Sequence, residues 1–594
     1  MTIVQDPHSY GNTRDVRPSH LSLELTLDFD RCLINGSCTF TFVGSRNASG
    51  YVDLDTKGLT IASVTSAQGD TLRYELGPAQ AFMGSRLRIY VPHAQEQIRV
   101  TYTTEPAAAA LQWLTPAQTT SGKWPFLFTQ SQAILARTWF PCMDSPGVRV
   151  TYDATVRVPA GMMAMMSANQ LPGSPEQGIF RFHMPLPIPA YLIALAAGEI
   201  AYRPISHRTG VYAEPAVLEA AAWEFADMDE MIQAAETLYG PYRWGHWDAM
   251  VLPPSFPFGG MENPLLTFAT PTILAGDRSL VSVMAHELAH SWSGNLVTNA
   301  TWNDFWLNEG CTTYFERRIV EALYGKDVAE MHWLLGQRAL QRAIDRFLGS
   351  EPEFTKLGMR LDGRDPDEAF SELPYEKGAN FLRVLERYFG RASFDAFLQA
   401  YFDAHAFQSM STAQFLEILR DRLFRGDNAA WEALQVEAWV YEPGVPGNMV
   451  VPSSEHFAKT QAAATAFMAQ GSLTGIQRHA WVTAEWIDFL RSLPRDVPHD
   501  RLGLLDRTFA LSRSGNSEIL FAWLEICIRN TYTPAWPAVE DFLCRQGRRK
   551  FLQPLYEALW ANPHTKELAK AIYAKARAGY HPIAVATIDQ IVNA

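Results

Sequence analysis

The first two hundred residues alternate hydrophobic and polar positions with the period of two that is typical of β-strands. In HLSLELTLDFD, residues 20–30, every second residue from Leu21 to Phe29 is hydrophobic, and QIRVTYTT, residues 97–104, repeats the pattern. We therefore expect each strand to bury one face. The methionine-rich run GMMAMMSANQ, residues 161–170, is interpreted as core filling in a strand rather than as a soft-metal site, because methionine fills irregular cores well.

The pattern changes near residue 201 to helix-length segments separated by proline and glycine clusters. Residues 1–200 are thus predicted to form an N-terminal β domain, and residues 201–443 a second domain that holds most of the chemical motifs. The stretch YEPGVPGNMVVPSS, residues 441–454, has no periodicity and predicts a linker at 444–454. Beyond it, residues 455–594 have the amphipathic pattern of successive helices, which favours a solenoid-like α-helical domain. The fold class is multidomain α+β.

Composition narrows the possible classes of protein. Of the 594 residues, 47% are hydrophobic and 19% are charged, which is typical of globular domains rather than disordered or fibrous chains. The formal net charge of −13 gives no general attraction for nucleic acid or for anionic lipid surfaces. Neither is expected as a partner.

Six scattered cysteines form no CxxC pair, which favours free thiols and a reducing compartment. A disulfide between Cys32 and Cys38 stays open on spacing alone. The opening MTIVQDPHSYGNTRD lacks the features of a secretory signal, and no run approaches the roughly 18 apolar residues of a membrane-spanning helix. We therefore expect a cytoplasmic protein that does not enter a membrane.

The stretch MAHELAHSWSGNLV, residues 284–297, contains a candidate metal site. His286 and His290 lie four positions apart, so on a helix their imidazoles share one face and can bind one zinc ion. Glu287 lies about 100° round the helix, where it can reach a metal-bound water without binding the metal. Two histidines and a glutamate also occur by chance, so a further ligand is needed.

That ligand is predicted in TWNDFWLNEG, residues 301–310, where Glu309 begins a second helix nineteen positions after His290. Two histidines and one carboxylate leave a fourth tetrahedral position open, as in catalytic rather than structural zinc sites. Glu316, two turns further on, is our candidate for orienting a zinc-bound histidine, with an ion pair to Arg317 or Arg318 as the alternative.

FPFGGMENP, residues 256–264, lies upstream of the metal motif. Gly259 and Gly260 allow extended backbone close to a ligand, Met261 follows them, and Glu262 adds a negative charge. Alone, this is any glycine turn with a surface carboxylate. Beside a metal, however, Glu262 can pair with the free ammonium of a peptide's first residue, which would restrict cleavage to amino termini.

In this order and spacing, GGMENP, HELAH and WLNEG resemble the M1 zinc aminopeptidases. Further strings are similar to the leukotriene A4 hydrolase/aminopeptidase branch of that family, from Thr129 to Phe551: FTQSQAILARTWFPCMDSPGVRVTYDA, LPPSFPFGGMENPLLTFATPTILAGDRSL, ELPYEKGANFL and QGRRKF. The resemblance implies an N-terminal β saddle, a thermolysin-like catalytic domain and a C-terminal helical domain. It also implies one zinc ion per chain and hydrolysis of short peptides.

The resemblance implies a role for each matching residue. Zinc ligands fall on His286, His290 and Glu309, the general base on Glu287, and the binder of the substrate's amino terminus on Glu262. Tyr375 in PYEKG is implied to donate a hydrogen bond to the tetrahedral intermediate, although alone it would be interpreted as a core tyrosine. Gln132 is implied to line the amino-end pocket. Arg548 and Lys550 are implied to bind the substrate's carboxylate, which makes tripeptides the natural length; without the resemblance they indicate a solvated surface.

Two positions depart from the family pattern associated with lipid-epoxide hydrolysis. Asp367 matches the family's aspartate, but Phe370 replaces the tyrosine beside it, and Phe258 replaces a tyrosine before GGMEN. The first change leaves the hydrolytic machinery in place, and the second makes the side-chain pocket more apolar, so lipid-epoxide hydrolysis is the alternative function rather than the main one. Asp367 near the first-residue pocket predicts some preference for basic amino-terminal residues.

A catalytically silent protein-binding scaffold is a third hypothesis for the chain. It predicts damage to the motifs, whereas the catalytic and ligand residues are all present. We therefore expect an active enzyme, and we expect it to be a monomer.

Overall fold

Strands fill the N-terminal part of the chain, as the alternating pattern predicted. The computed structural model describes residues 4–42, 50–91, 97–476 and 480–593. A seven-stranded sheet has the order β12-β13-β10-β1-β2-β7-β4, a four-stranded sheet the order β11-β14-β9-β8, and a three-stranded sheet the order β3-β6-β5. The strands are β1 (Pro18–Asp28), β2 (Leu33–Phe42), β3 (Tyr51–Thr56), β4 (Leu59–Ser66), β5 (Tyr74–Leu76), β6 (Ser85–Tyr90), β7 (Gln97–Thr104), β8 (Leu111–Leu114), β9 (Phe126–Thr129), β10 (Arg149–Arg157), β11 (Met163–Met166), β12 (Asn169–Ser174), β13 (Ile179–Pro189) and β14 (Leu195–Gly198).

The hydrophobic positions of β1 face the core, which confirms the predicted alternation. Leu21, Leu23, Leu25 and Leu27 are all buried, while the residues between them reach the surface in part. The methionine run forms β11, and Met165 and Met166 pack into the same core, which confirms its interpretation as core filling. All six cysteines are free, including Cys32 and Cys38.

A second set of elements follows from residue 201. A five-stranded sheet has the order β15-β16-β17-β19-β18, in which β16, β17 and β19 are parallel and the edge strand β18 is antiparallel to β19. A short parallel pair joins β20 to β21. The elements are β15 (Ala201–Pro204), β16 (Thr209–Ala213), α1 (Leu218–Glu224), α2 (Met228–Tyr239), β17 (Trp247–Val251), β18 (Gly260–Met261), β19 (Leu266–Ala269), α3 (Ser282–Ala289), β20 (Val297–Asn299), α4 (Trp306–Tyr324), α5 (Lys326–Phe347), α6 (Glu372–Phe389), α7 (Arg391–Ala404), β21 (Gln408–Met410), α8 (Thr412–Ile418), α9 (Asn428–Ala433) and α10 (Val436–Tyr441).

The C-terminal part is helical. Helices α12, α14, α16 and α18 contact one another in succession, and α15 contacts α17, so the helices stack in pairs as the solenoid-like pattern predicted. Their bounds are α11 (Glu455–Gln470), α12 (Thr483–Arg491), α13 (His499–Phe509), α14 (Ser517–Arg529), α15 (Trp536–Arg545), α16 (Arg549–Ala561), α17 (Lys566–Ala576) and α18 (Pro582–Val592). The N-terminal β region, the catalytic region and the C-terminal helices form the three-domain arrangement that we expected.

Three large cores correspond to these regions, and the first extends beyond the N-terminal sheets. It includes Trp302 and Phe305 from the catalytic region and Ile583 from α18. Side chains from all three regions therefore pack together around the residues that carry the motifs. Among the described residues, no helix combines the length and hydrophobicity needed to cross a bilayer.

Candidate functional site

Three helices carry the predicted metal and catalytic side chains. Helix α3 holds His286 and Glu287, and His290 follows directly at its C-terminal end. Helix α4 holds Glu309 in its first turn. Helix α6 packs so closely against α4 that a Cβ at Gly310 would lie only 2.7 Å from the Cα of Gly378. This close packing brings the first turn of α6, with its tyrosine, beside the residues on α3 and α4.

The predicted zinc ligands converge with the spacing of a tetrahedral site. Glu309 Oε2 lies 3.3 Å from His286 Nε2 and 3.4 Å from His290 Nε2. Donor atoms at 2.0–2.1 Å from a tetrahedral zinc lie roughly 3.3–3.4 Å apart, whereas a charged histidine–carboxylate hydrogen bond is shorter, at about 2.7–2.9 Å. Three nearby buried or half-buried donors of the types zinc prefers therefore fit this metal.

In each histidine the other ring nitrogen, Nδ1, makes a contact that orients the imidazole. The carbonyl of Ser293 lies 2.9 Å from His290 Nδ1 and accepts its hydrogen, so the lone pair of Nε2 faces Glu309. On the other histidine, Glu316 Oε2 lies 3.2 Å from Nδ1, the contact expected of an orienting carboxylate.

The alternative partners of Glu316 are paired with other carboxylates. Arg317 pairs with Glu376 and Arg318 with Asp395. The described contacts therefore place Glu316 beside His286, with His332 Nδ1 3.9 Å from its other oxygen.

Glu287 is buried beside the predicted metal ligands. Burial raises its pKa to about 7, although the neighbouring histidines His286 and His290 oppose the rise. Its carboxylate lies against β18, where a Cβ added to Gly260 would be 2.3 Å from Glu287 Oε1. Only glycine leaves room for the carboxylate at this point, which gives a physical reason for the second glycine of the GGMEN motif. Gly259 has a similar constraint, since a Cβ there would lie 2.6 Å from Arg548 Nη2.

Glu262 projects a buried carboxylate into the same site. One donor atom each from Glu262, Glu287 and His290 lie within 4.8 Å of one another. Glu262 is 3% exposed, and its Oε1 has no hydrogen-bond partner among the described residues. Burial raises its pKa; the charge of His290 lowers it and that of Glu309 raises it. A buried, unpaired carboxylate oxygen is costly unless a ligand satisfies it.

The segment after β9 contributes two buried glutamines. Gln132 is 5% exposed, and its Nε2 has no partner among the described residues. Gln130, which the sequence analysis missed, directs its Nε2 to Met261 Sδ at 3.2 Å. Hence this segment of the N-terminal domain reaches the strand that carries the GGMEN motif.

The first turn of α6 places Tyr375 against a predicted metal ligand, His286. Its ring lies 6.0 Å from that of His286, nearly parallel at 22°. Burial raises the pKa of its hydroxyl well above the usual value, and the negative charges of Glu309 and Glu262 add to this. The phenol is therefore held in its protonated form, as a hydrogen-bond donor must be.

The two predicted carboxylate binders occupy different environments. Arg548 is buried and lies beside Gly259, with Nη1 3.2 Å from Thr272 Oγ1 and 3.5 Å from Glu518 Oε1. Lys550 is half exposed and pairs with Glu518 at 2.5 Å. The described contacts thus bring Arg548 to the GGMEN strand, whereas Lys550 contacts Glu518. That glutamate, on α14, carried no sequence signal.

A row of aromatic rings borders the site. Phe258 and Phe370 stack with ring centres 6.3 Å apart, and Phe370 packs on Phe305 at 4.6 Å. Arg549, which the sequence analysis also missed, places its guanidinium 6.0 Å from the Phe258 ring and donates to the Phe370 carbonyl at 3.5 Å.

Asp367 lies close to this aromatic row. Burial raises its pKa to about 7, Asp365 raises it further, and the charge of Arg549 opposes the rise. The acidic group predicted to select basic residues therefore has a cation facing it.

Comparison with known proteins agrees with this geometry. The "Peptidase family M1 domain" matches residues 223–436, the "Peptidase M1 N-terminal domain" residues 17–192, and "Leukotriene A4 hydrolase, C-terminal" residues 481–592. The leukotriene A-4 hydrolase of Xenopus laevis is 37% identical over 605 residues, which cover 98% of each chain. A leucine aminopeptidase 2 of Ajellomyces capsulatus is 36% identical, covering 98% of this chain and 95% of the relative.

A solved structure extends the similarity to the fold. The yeast LTA4 hydrolase in complex with bestatin superposes with a TM-score of 0.93 at 34% identity, covering 100% of this chain and 98% of that one. At such identity over nearly the whole of both chains, the protein belongs to peptidase family M1, in its leukotriene A4 hydrolase branch, and is a zinc aminopeptidase.

Proposed function

We propose that this enzyme removes amino-terminal residues from short peptides, with tripeptides favoured, and that it acts as a cytoplasmic monomer. The proposal rests on the position of the Glu262 carboxylate. Glu262 places a buried carboxylate oxygen without a partner within 4.8 Å of donor atoms of Glu287 and a metal-ligand histidine. A free ammonium at the start of a peptide would satisfy this oxygen and set the first peptide bond beside the metal. We also propose the domain limits 1–200, 201–443 and 455–594, with 444–454 as linker.

His286, His290 and Glu309 would hold the zinc ion. When bound, zinc supplies Lewis acidity that polarises the scissile carbonyl and acidifies water. Glu287 accepts the proton of the attacking water and later delivers it to the leaving amine, a role that suits a carboxylate whose pKa is raised to about 7. Tyr375 donates a hydrogen bond to the oxyanion that develops on the carbonyl oxygen. Gln132 lines the pocket that receives the peptide's amino end.

Groups of opposite charge at the two ends of the site would select peptides by their length. Glu262 binds the amino terminus, and Arg548 with Lys550 attracts the carboxylate of a short peptide. Arg548 supports this role because it is buried, contacts the GGMEN strand and keeps a side-chain nitrogen, Nε, unpaired among the described residues. Lys550 would act at longer range, since Glu518 already neutralises part of its charge.

Matched substrates test the proposal. We expect the enzyme to cleave a free tripeptide and to leave the same tripeptide uncut when its amino end is acetylated. Glu262→Gln should keep the zinc content and lose most of kcat/KM for the free tripeptide. Equal cleavage of the acetylated and free peptides would contradict a role for Glu262 as the amino-terminus anchor.

Lipid-epoxide hydrolysis is the second candidate function. It is favoured by Asp367, which stays beside the site, and by relatives named leukotriene A4 hydrolase. Phe370, at the position of the family's tyrosine, offers no hydroxyl. We expect epoxide turnover to be far slower than amide hydrolysis, and a direct comparison of the two rates on one preparation decides which activity dominates.

A further inference from the structure

A cavity of about 330 Å³ lies where the segment before β1 meets the catalytic region. Pockets for small ligands start at roughly 300 Å³, so its size suits a small molecule. Its polar lining comes from the N-terminal domain and from the residues around β21. These side chains include Thr13, Arg17, Ser145, Arg149, Ser409 and Gln414.

Arg17 brings a cation to this cavity with most of its donors free. Its Nε donates to the Thr13 carbonyl at 2.8 Å, and its two terminal nitrogens have no partner among the described residues. Burial lowers the pKa of Arg17, and no carboxylate in the described part of the chain offsets this effect. The guanidinium still carries its charge at neutral pH, because arginine titrates far above that range.

Arg149 adds a second cation, and none of the described carboxylates forms an ion pair with it. Its nitrogens donate to the carbonyls of Pro187 and Asn295 and to the hydroxyl of Thr298. Burial lowers its pKa to about 10, and the nearby Tyr191 opposes the effect. All of these acceptors are uncharged, so they satisfy hydrogen bonds without cancelling the charge.

None of the described residues that line the cavity is acidic. Asp6 lies next to the lining, where it accepts hydrogen bonds from Ser145 Oγ at 2.6 Å and from the backbone of His8 at 2.8 Å, and the described contacts include no ion pair between it and either arginine. Two arginines that line one partly enclosed volume, and that have no ion pair among the described residues, favour an anion between them. Planar guanidinium groups match the paired oxygens of phosphate and carboxylate groups.

We propose that this cavity is a binding site for a small oxyanion, a molecule that carries a phosphate or carboxylate group, held between Arg17 and Arg149. The free donors of Arg17 supply direct hydrogen bonds, and Arg149 supplies charge with its remaining donor. The site is separate from the peptide-cleaving centre, and its existence does not depend on the proposed peptidase specificity.

The described hydrogen bonds link this site to the amino-terminus anchor. Arg149 Nη2 donates to the Asn295 carbonyl at 2.6 Å, and Asn295 Nδ2 donates to the Glu262 carbonyl at 2.7 Å. An anion that fixes Arg149 would therefore steady the backbone that presents Glu262. We expect a bound oxyanion to lower KM for amino-acid amides while kcat changes little.

Calorimetric titration of the zinc-loaded full chain tests the site directly. Inorganic phosphate and citrate serve as probes, with ionic strength held constant by sodium chloride. We expect saturable binding of at least one probe, and the tighter probe identifies a phosphate-bearing or a carboxylate ligand. Arg17→Gln should weaken binding at least about 10-fold, because it removes one of two charges and the free donors. Arg14→Gln, an exposed arginine outside the lining, is the matched control and should bind as the wild type does.

Anion binding at the zinc site would persist unchanged in Arg17→Gln, so the difference between variant and wild type isolates the cavity. Equal affinity of both probes for Arg17→Gln and wild type would overturn the proposal, as would equal weakening in Arg14→Gln or no binding beyond the effect of chloride. A thermal melt of each variant shows that it is folded. Loss of the oxyanion effect on KM in Arg17→Gln would support the link to Glu262, and an unchanged effect would contradict it.

Discussion

Gly260 lies so close to Glu287 that a Cβ at the glycine would be 2.3 Å from the carboxylate oxygen. An alanine at this position must displace either the edge strand or the proposed general base. We expect Gly260→Ala to bind zinc normally and to lose about 100-fold in kcat/KM, since a displacement of roughly 1 Å at a catalytic group has effects of this size.

Gly515→Ala is the matched control for that variant. A Cβ at Gly515 meets nothing within 4 Å, so its activity should equal that of the wild type. Full activity of Gly260→Ala would show that the carboxylate does not act from its present position.

Glu287→Gln separates metal binding from proton transfer. The change keeps the shape of the side chain but removes the group that accepts a proton, so we expect one zinc ion per chain by elemental analysis and a loss of kcat by several orders of magnitude. Glu309→Gln is the contrasting variant and should lose zinc affinity. Substantial activity in zinc-loaded Glu287→Gln would refute the assigned base.

Tyr375→Phe tests the oxyanion contact. The ring would still pack 6.0 Å from that of His286, so folding and zinc content should be kept. Loss of one oxyanion donor typically costs about 10²- to 10³-fold in kcat, and we expect a decrease in this range with little change in KM. A decrease confined to KM would instead indicate a role in substrate binding alone.

Arg549 and Asp367 have opposite expected effects on the choice of first residue. Asp367 favours a basic side chain, whereas the charge of Arg549 opposes it across the same aromatic row. We expect Arg549→Gln to increase kcat/KM for arginine amide relative to alanine amide, and Asp367→Asn to decrease this ratio.

Leucine amide provides the neutral reference for these variants, because an uncharged side chain of similar length senses the pocket shape without the charge. Strong leucine preference with negligible arginine cleavage in the wild type would count against selection by Asp367.

Lys377, two residues after Tyr375, gives a pH prediction for stability. Its Nζ donates to the carbonyls of Thr355 and Glu442, each at 2.9 Å, and burial lowers its pKa to about 7. Above pH 7 the folded state releases this proton while the unfolded state keeps it up to about pH 10.4. The unfolded state therefore binds more protons in this window, and the contribution of Lys377 to stability rises with pH.

Lys377→Met removes this titration. We expect the difference in melting temperature, wild type minus variant, to increase between pH 7 and pH 9 in thermal unfolding experiments. A constant difference over that range would mean that the folded and unfolded states release the proton alike.

Sequence patterns predicted the fold class well because the spacing of hydrophobic residues reflects which faces are buried. Clusters of proline and glycine indicate where the elements end. The spacing of His286 and His290 likewise predicted that they share one helix face. The carboxylate of Glu309 lies as far from their ring nitrogens as two ligands of one zinc ion lie from each other. The roles of these residues stay predictions until variants are measured.

Contacts between distant segments could not be predicted in the same way. Glu518 pairs with Lys550 across two C-terminal helices, and Arg549 reaches the Phe370 carbonyl. No period or spacing in the sequence points from Glu518 or Arg549 to its partner, because each acquires its neighbour only when segments distant in the sequence pack together. The close approach of Gly310 to Gly378 has the same origin.

Strand β18 is the outer strand of its five-stranded sheet, and among the described strands it pairs with β19 alone. An outer strand offers backbone groups to any extended chain laid beside it. A peptide bound there would form hydrogen bonds through its main chain, and these bonds do not depend on its side chains. We therefore expect short peptides that can lie extended to be cleaved readily, whereas a peptide whose first residues are held in a tight turn is cleaved only after they extend.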